Sequence, residues 1–253
     1  MIKSKKLSKF KGINHAFFNR LGGKSIGIFK SLNCGLSTSD NKKNILKNLG
    51  IVSKKISTTS QNIVLLNQVH SNKFHYINKN SRFDNNKFEG DALITDMKNL
   101  PIAILTADCA PILIHDDNNE MIAAIHAGWK GAYRGIVEKV INFMIKKGCS
   151  PKNITVAIGP CISSDNYEIK EDFKKKFIKK DKKNIIFFKR TKNKNYFNLN
   201  KYIKFQLKSL HINKIDTINK DTFNAKNNFF SARRSISRNE NDYGRNISII
   251  MIN

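Results

Sequence analysis

Two residues interrupt the most apolar stretches of this chain with chemistry that a core does not require. Cys109 ends the run Ile102-Ala103-Ile104-Leu105-Thr106-Ala107-Asp108-Cys109, and His126 ends Met121-Ile122-Ala123-Ala124-Ile125-His126. Joined through Ile112-Leu113-Ile114 and the turn Asp116-Asp117-Asn118-Asn119, the runs are expected to be adjacent strands whose ends meet. A thiol and an imidazole at neighbouring ends of buried strands make either a transition-metal site or a nucleophile and base pair. A third run, Ile63-Val64-Leu65-Leu66-Asn67-Gln68-Val69-His70, is read as another strand and ends on His70. His70, Cys109 and His126 lie 39 and 17 positions apart, too far for a zinc-finger spacing, so any shared site must be assembled by the fold. Two imidazoles and a thiolate would leave the fourth tetrahedral position of a zinc ion open, as catalytic sites do. The same residues allow a second chemistry, a cysteine hydrolase or amidase with Cys109 as nucleophile and His126 as its base.

The elements that must position these residues are legible in outline. A helix is expected over 41–49, stopped by Gly50, followed by polar sequence over 53–61. Residues 71–90 read as polar and irregular. After His126, Ala127-Gly128-Trp129-Lys130-Gly131 is a glycine-punctuated turn, and Ile136, Val137, Val140, Ile141, Met144 and Ile145 recur with helical period until Gly148. A strand is expected over 155–158 and helices over 171–179 and 201–210. The lysine-rich stretch 180–194 reads as an irregular surface excursion, and 247–252 as a last strand. No internal repeat is present. The pattern predicts an α+β fold, mixed β-sheets flanked by helices, in a single domain spanning 1–253.

Composition narrows the function classes. No stretch approaches the roughly 18–20 apolar residues of a membrane span, and the opening Met1-Ile2-Lys3-Ser4-Lys5-Lys6 lacks a following apolar signal core, so a soluble cytoplasmic protein is expected. Cys34, Cys109, Cys149 and Cys161 form no CxxC pair and suit a reducing compartment as free thiols. The formal net charge is +27, but its lysines are scattered and travel with Asn and Ile, a compositional bias rather than a phosphate-reading surface. Salt-sensitive contact with polyanions is expected, specific nucleic-acid binding is not, and a basic binding module without turnover is the non-enzymatic alternative.

Asn67-Gln68-Val69-His70, Gly90-Asp91-Ala92, Thr106-Ala107-Asp108-Cys109-Ala110-Pro111, His126-Ala127-Gly128-Trp129-Lys130-Gly131, Gly159-Pro160-Cys161-Ile162 and Gly244-Arg245 together resemble, in order, the motifs of the laccase-domain family. That family was first named multicopper polyphenol oxidase and is now described as purine nucleoside phosphorylase with adenosine deaminase side activity. The resemblance implies metal ligands at His70, Cys109 and His126, with zinc as the metal and copper as the alternative. It further implies a pocket for purine nucleosides and phosphate, with phosphorolysis of adenosine, inosine and methylthioadenosine. Deamination needs an acid or base near the purine, for which Asp108 and Asp91 are the candidates beside Cys109. Phosphorolysis needs phosphate held beside C1′, for which the cations Arg20, Lys130, Arg134 and Arg245 are the candidates. The copper-oxidase reading asks for several coppers and many histidines, and this chain has six histidines, two already assigned with Cys109.

The chain departs from the family in places. Where the family often has a cysteine and a threonine before its Phe-Phe-Ser-x-Arg-Arg segment, this chain has Lys220-Asp221-Thr222-Phe223. Additional residues over 236–243 lengthen the approach to Gly244-Arg245. Cys161 is left outside the metal set, either lining the pocket or buried and inert. Trp129 is read as a core anchor before a base-stacking residue, and Arg233 and Arg234 as partners of acids before phosphate ligands.

Overall fold

A computed structural model describes residues 1–59, 63–81 and 88–253. Its strands are Ile13–Phe17 (β1), Phe74–Ile77 (β2), Ala92–Thr95 (β3), Ile102–Thr106 (β4), Ala110–Asp116 (β5), Met121–Ala127 (β6), Ile154–Ile158 (β7), Glu168–Ile169 (β8), Phe188–Thr191 (β9), Lys194–Phe197 (β10), Lys214–Thr217 (β11) and Asn246–Ile252 (β12). The helices are Lys42–Lys55 (α1), Trp129–Tyr133 (α2), Ile136–Lys146 (α3), Glu171–Lys180 (α4), Leu199–Ser209 (α5) and Ala232–Ser237 (α6).

The most apolar strands lie at the centre of a mixed sheet of order β11-β7-β5-β6-β3-β2, antiparallel inside and parallel at both edge pairs. A second, antiparallel sheet has the order β1-β12-β4, and a small third one the order β8-β10-β9. Strand alternation sorts the side chains into layers. Leu93, Leu113, Ile122, Ala124 and Ala157 of the six-stranded sheet meet Ile102, Ile104, Ile250 and Ile252 of the three-stranded sheet. On the opposite face, Ile94, Ile112, Ile114, Ile125 and Val156 receive Ile136, Val137, Val140, Ile141 and Met144 of α3 together with residues of α5. Ala103, Ile247 and Ile249 on the outer face of the smaller sheet are covered by Ile45, Leu49 and Val52 of α1. The order helix, sheet, sheet, helix is the mixed α and β architecture expected.

Several local expectations are corrected. The run 102–109 does not pair with β5 or β6. Only 102–106 is strand, it pairs with β12, and 107–109 is the crossover that carries the chain into the six-stranded sheet. Both faces of β4 are covered by apolar layers, so its composition does not reveal which sheet it joins. The run 63–70 makes only the isolated bridges Val64 to Ile102 and Asn67 to Glu89; its Ile63, Val64, Leu65 and Leu66 are buried without a ladder. Helix α1 passes through Gly50, where a Cβ would meet nothing, because buried Val52 and Ser53 continue its packed face. The stretch 71–90 contains the edge strand β2, while 82–87, like 60–62 of the polar segment before His70, lie outside the described residues. The excursion 180–194 is ordered as a 3-10 helix over Lys182–Phe187 and the β9-β10 hairpin, whose turn residues Lys192 and Asn193 adopt positive φ. Gly148 does stop α3, at φ +99. Among the described residues no helix is long and apolar enough to cross a membrane.

Candidate metal centre

The three predicted ligands meet where the two sheets part. His126 follows Ile122 and Ala124 in the alternation of β6, so it faces the space between the sheets at the strand's end. Cys109 comes from the crossover after β4. His70 ends the extended segment in the left-handed region, at φ +56, where the chain turns. Cys109 Sγ lies 3.7 Å from His70 Nε2, the imidazole centroids are 4.8 Å apart, and all three ligand atoms fall within 4.8 Å of one another. Zinc bonds of about 2.3 Å to sulfur and 2.0 Å to nitrogen imply tetrahedral S···N edges of roughly 3.5 Å. The donor set therefore fits such an ion with shifts of an ångström or so. His126 is buried, Cys109 partly so, and His70 is exposed, which leaves one side of the group open.

Gly128 makes room for this arrangement. A Cβ there would stand 2.9 Å from Cys109 Sγ and 2.9 Å from His70 Cδ2. Its φ of −73 and ψ of 167 suit any residue, so proximity to the ligands, not backbone freedom, requires glycine.

Two buried carboxylates hold the ligand loops. Asp91 accepts from His126 Nδ1 at 2.8 Å and from the His70 backbone N–H at 3.0 Å with one oxygen. Its other oxygen accepts from the Ser71 N–H at 2.5 Å and hydroxyl at 2.7 Å. Nδ1 of His126 is thereby committed, which leaves Nε2 for the site, the usual second-sphere role of a carboxylate behind a ligand histidine. Burial pushes the Asp91 pKa up, but His126 and Ser71 outweigh it and hold the carboxyl below its ordinary value. Asp108, at φ +86, accepts from Thr222 Oγ1 at 2.6 Å, Ser231 Oγ at 2.9 Å and the Arg233 N–H at 2.7 Å. It pins the C-terminal segment to the residue before Cys109, and burial raises its pKa despite those bonds. The threonine that remains where the family often has a cysteine and threonine is thus a direct partner of Asp108.

Without an ion, burial would raise the Cys109 thiol, yet the charge and hydrogen bonds of His126, with those of His70, bring it down to about 6. Burial works against the charged form of His126 as well, but Cys109 and Asp91 lift it to about 9. The thiol is poised as thiolate, the form that ligates a metal or attacks an electrophile.

A cleft of about 530 Å³ opens onto the three residues. Leu36, Leu46, Leu65, Leu66 and Leu105 give it apolar walls, and Lys42, Asn67, Gln68, Tyr243 and Arg245 supply polar groups. Gln68 is clamped to the Leu105 backbone by two bonds of 2.7 Å. Of the four cations singled out in the sequence, Arg245 lines the cleft, its guanidinium 3.8 Å over the Tyr243 ring and 3.9 Å from Asp242. Arg134 donates to the His70 carbonyl at 3.4 Å from outside it, Lys130 lies over the Trp129 ring, and Arg20 belongs to a separate cavity. Asp91 and Asp108 sit behind the cleft wall. Trp129 packs on Phe173 in the core, and Cys161 is buried, its thiol pushed up to about 12 by that burial. Lys42 and Tyr243 went unnoticed in the sequence; nothing sets Lys42 apart from its many fellow lysines, whereas Tyr243 immediately precedes the Gly244-Arg245 motif.

Comparison with known proteins gives a consistent result. Residues 14–253 match the family model described as multi-copper polyphenol oxidoreductase laccase. A purine nucleoside phosphorylase of Rickettsia conorii is 34% identical over 212 residues, 81% of this chain and 86% of the relative. One of Haemophilus influenzae is 31% identical over 240 residues, 93% of each. The crystal structure of the hypothetical protein YfiH of Bacillus licheniformis superposes with a TM-score of 0.88 at 27% identity, covering 95% of this chain and 93% of that one.

Proposed function

The chain belongs to the multi-copper polyphenol oxidoreductase laccase family, and from that membership and the geometry of its cleft we propose that it is a zinc-dependent purine nucleoside phosphorylase. In this reading it cleaves adenosine, inosine and methylthioadenosine with phosphate and also deaminates adenosine. The observation that carries the reading is the His70, Cys109, His126 triangle at the floor of a cleft with apolar walls and a cationic rim. The similarity to proteins named purine nucleoside phosphorylase supports the substrate class.

Zinc held by these three side chains would supply Lewis acidity and a position open to water or substrate. The remaining work belongs to the chain. Leucine side chains remove the flat faces of a purine from water, and Tyr243 offers a ring against which it can stack. Arg245 is half-buried, held by the Tyr243 carbonyl and ring, and presents its fork to phosphate beside the ribose C1′; Lys42 adds a second positive charge on the same cleft. The attacking phosphate oxygen forms a bond to C1′ as the bond from C1′ to N9 breaks, and the pair of electrons leaves with the purine. Asp91 and Asp108 act as positioning residues for His126, His70 and the Cys109 loop. A single domain over 1–253 and a cytoplasmic setting complete the reading, the latter supported by four unpaired cysteines.

Copper oxidase chemistry is disfavoured because one three-donor His/Cys cluster occurs among the described residues, where a multicopper site needs several. The cysteine-hydrolase reading keeps one observation in its favour, the succession Asp91, His126, Cys109, which orders an acid, a base and a thiol as nucleophilic enzymes do. Product chromatography on inosine and adenosine, with and without phosphate, tests the proposal. Hypoxanthine released from inosine only when phosphate is present, and lost in Cys109→Ser, is the expected result. Release without phosphate, or no release at all, contradicts phosphorolysis; hydrolysis that survives chelation and is stopped by alkylation of Cys109 establishes the dyad.

A further inference from the structure

A second cavity, of about 240 Å³, opens between the 20–28 loop and α6. It shares no lining residue with the cleft above the three ligands. Arg20, Arg234 and Arg238 contribute guanidinium groups to it, Glu240 a single carboxylate, and Ser235 a hydroxyl.

The donors are held in place by other parts of the chain. Arg234 is 7% exposed and bonds to three backbone carbonyls, of Thr222, Phe223 and Phe229, so its position is set before anything binds. Arg20 donates Nε to the Lys30 carbonyl and lies 4.7 Å over the Phe230 ring. Its terminal N–H groups have no protein acceptor among the described residues. The Ser235 side chain, 8% exposed, also has no hydrogen-bond partner among them. Burial lowers the pKa of Arg20 and of Arg234; Arg234 and Arg238 lower Arg20 further, and Arg238 lowers Arg234 against the opposing pull of Asp108, so the guanidiniums crowd one another most at Arg20. Glu240 offsets part of this charge from inside the cavity, and Asp108, with Asp221, faces Arg234 from behind it.

We propose that this cavity is a binding site for a phosphate-type oxyanion, either free phosphate or the phosphoryl group of a monoester. Such a group carries about −1.5 to −2 charges near pH 7, and the guanidiniums of Arg20 and Arg238, which have no ion-pair partner within bonding distance among the described residues, would attract it. Its oxygens suit donors arranged as forks and a hydroxyl, and binding would relieve the like-charge crowding. The 20–28 loop and α6 would be drawn together by one ligand.

The test uses the full-length protein, a titration with inorganic phosphate at constant ionic strength, and amide NMR signals read at both sites. In the wild type, Phe230, Ser231 and Ser235 should shift saturably, whatever the response of Gln68 and Leu105 in the cleft. Arg238→Gln changes an exposed residue outside the cleft and should weaken the α6 response by at least about tenfold, with cleft signals responding as before. The same titration with methyl phosphate separates the two sources: tighter binding than inorganic phosphate assigns the site to a monoester, equal or weaker binding to the free ion. Failure of the α6 signals to move, movement that sodium chloride reproduces at equal ionic strength, or identical responses in Arg238→Gln would each overturn the proposal. Because the readout is resolved by site, a failure here leaves the reading of the cleft untouched, and the converse holds.

Discussion

Replacing Gly128 by alanine should weaken zinc binding and leave the fold standing. The backbone at Gly128 accommodates alanine without torsional strain, so the effect is local and steric. The added methyl would sit 2.9 Å from both Cys109 Sγ and His70 Cδ2, whereas carbon and its neighbours rest comfortably at roughly 3.5 Å or more. Relief therefore needs about 0.6 Å of movement, shared between two ligands or taken up by the backbone. The backbone has little freedom, since the Gly128 carbonyl accepts the first bond of α2 from the Ala132 N–H at 2.9 Å, and at Gly131 a Cβ would stand only 2.9 Å from the Ser71 carbonyl. Bonds to a metal keep within about 0.2 Å of their preferred lengths, so ligands pushed apart by the methyl cannot both close on one ion. Zinc affinity, measured by competition with a chromophoric chelator, should fall at least tenfold, equivalent to about 1.4 kcal/mol or more. Overpacking should lower stability by about 1–3 kcal/mol, visible in urea unfolding and leaving the circular dichroism spectrum unchanged. Gly50→Ala is the control: it has open space inside α1, and is expected to keep zinc affinity and to gain up to about 1 kcal/mol of stability. A folded Gly128→Ala protein with wild-type zinc affinity would refute the placement of the ligands.

Two further outcomes follow from the buried groups. Asp91→Asn removes the charge behind His126 and places an amide donor against the N–H groups of His70 or Ser71, so zinc affinity should drop about 10- to 100-fold; unchanged affinity in the chelator competition would mean that Asp91 serves the fold alone. His15 is 2% exposed and accepts the Ser4 N–H through Nε2 at 2.9 Å, and burial, with Lys3 nearby, lowers its pKa to about 4. Its neutral form is native, so the unfolded chain takes up the proton first: stability is full above about pH 6.5 and falls toward pH 4 by about 3 kcal/mol. In His15→Gln that contribution to the pH dependence of the urea midpoint should vanish, and parallel profiles for the two proteins would contradict it.

What could be seen in the sequence depended on how strongly a residue clashed with its surroundings. Cys109 and His126 stood out because each ended an apolar run, and the structure brings both together with His70. The pairing of β4 was hidden because a strand covered on both faces carries no mark of its neighbours. Burial of Ile63, Val64, Leu65 and Leu66 between layers imitates a strand without forming a ladder. The β9-β10 hairpin escaped notice because Lys192 and Asn193, not glycine, take the positive φ of its turn. Arg20 and Arg245 are equal candidates as phosphate cations by residue type, and only the path of the chain sends Arg245 to the cleft and Arg20 to a separate cavity.

The central claim is that His70, Cys109 and His126 hold one zinc ion with part of its coordination sphere open. A zinc K-edge absorption spectrum of the purified full-length protein at one equivalent of metal tests it most directly. One sulfur and two imidazole nitrogens, with a further light atom from solvent, is the shell the geometry predicts, and the sulfur should disappear in Cys109→Ser. A shell without sulfur in the wild type, or one with several sulfurs, would contradict it.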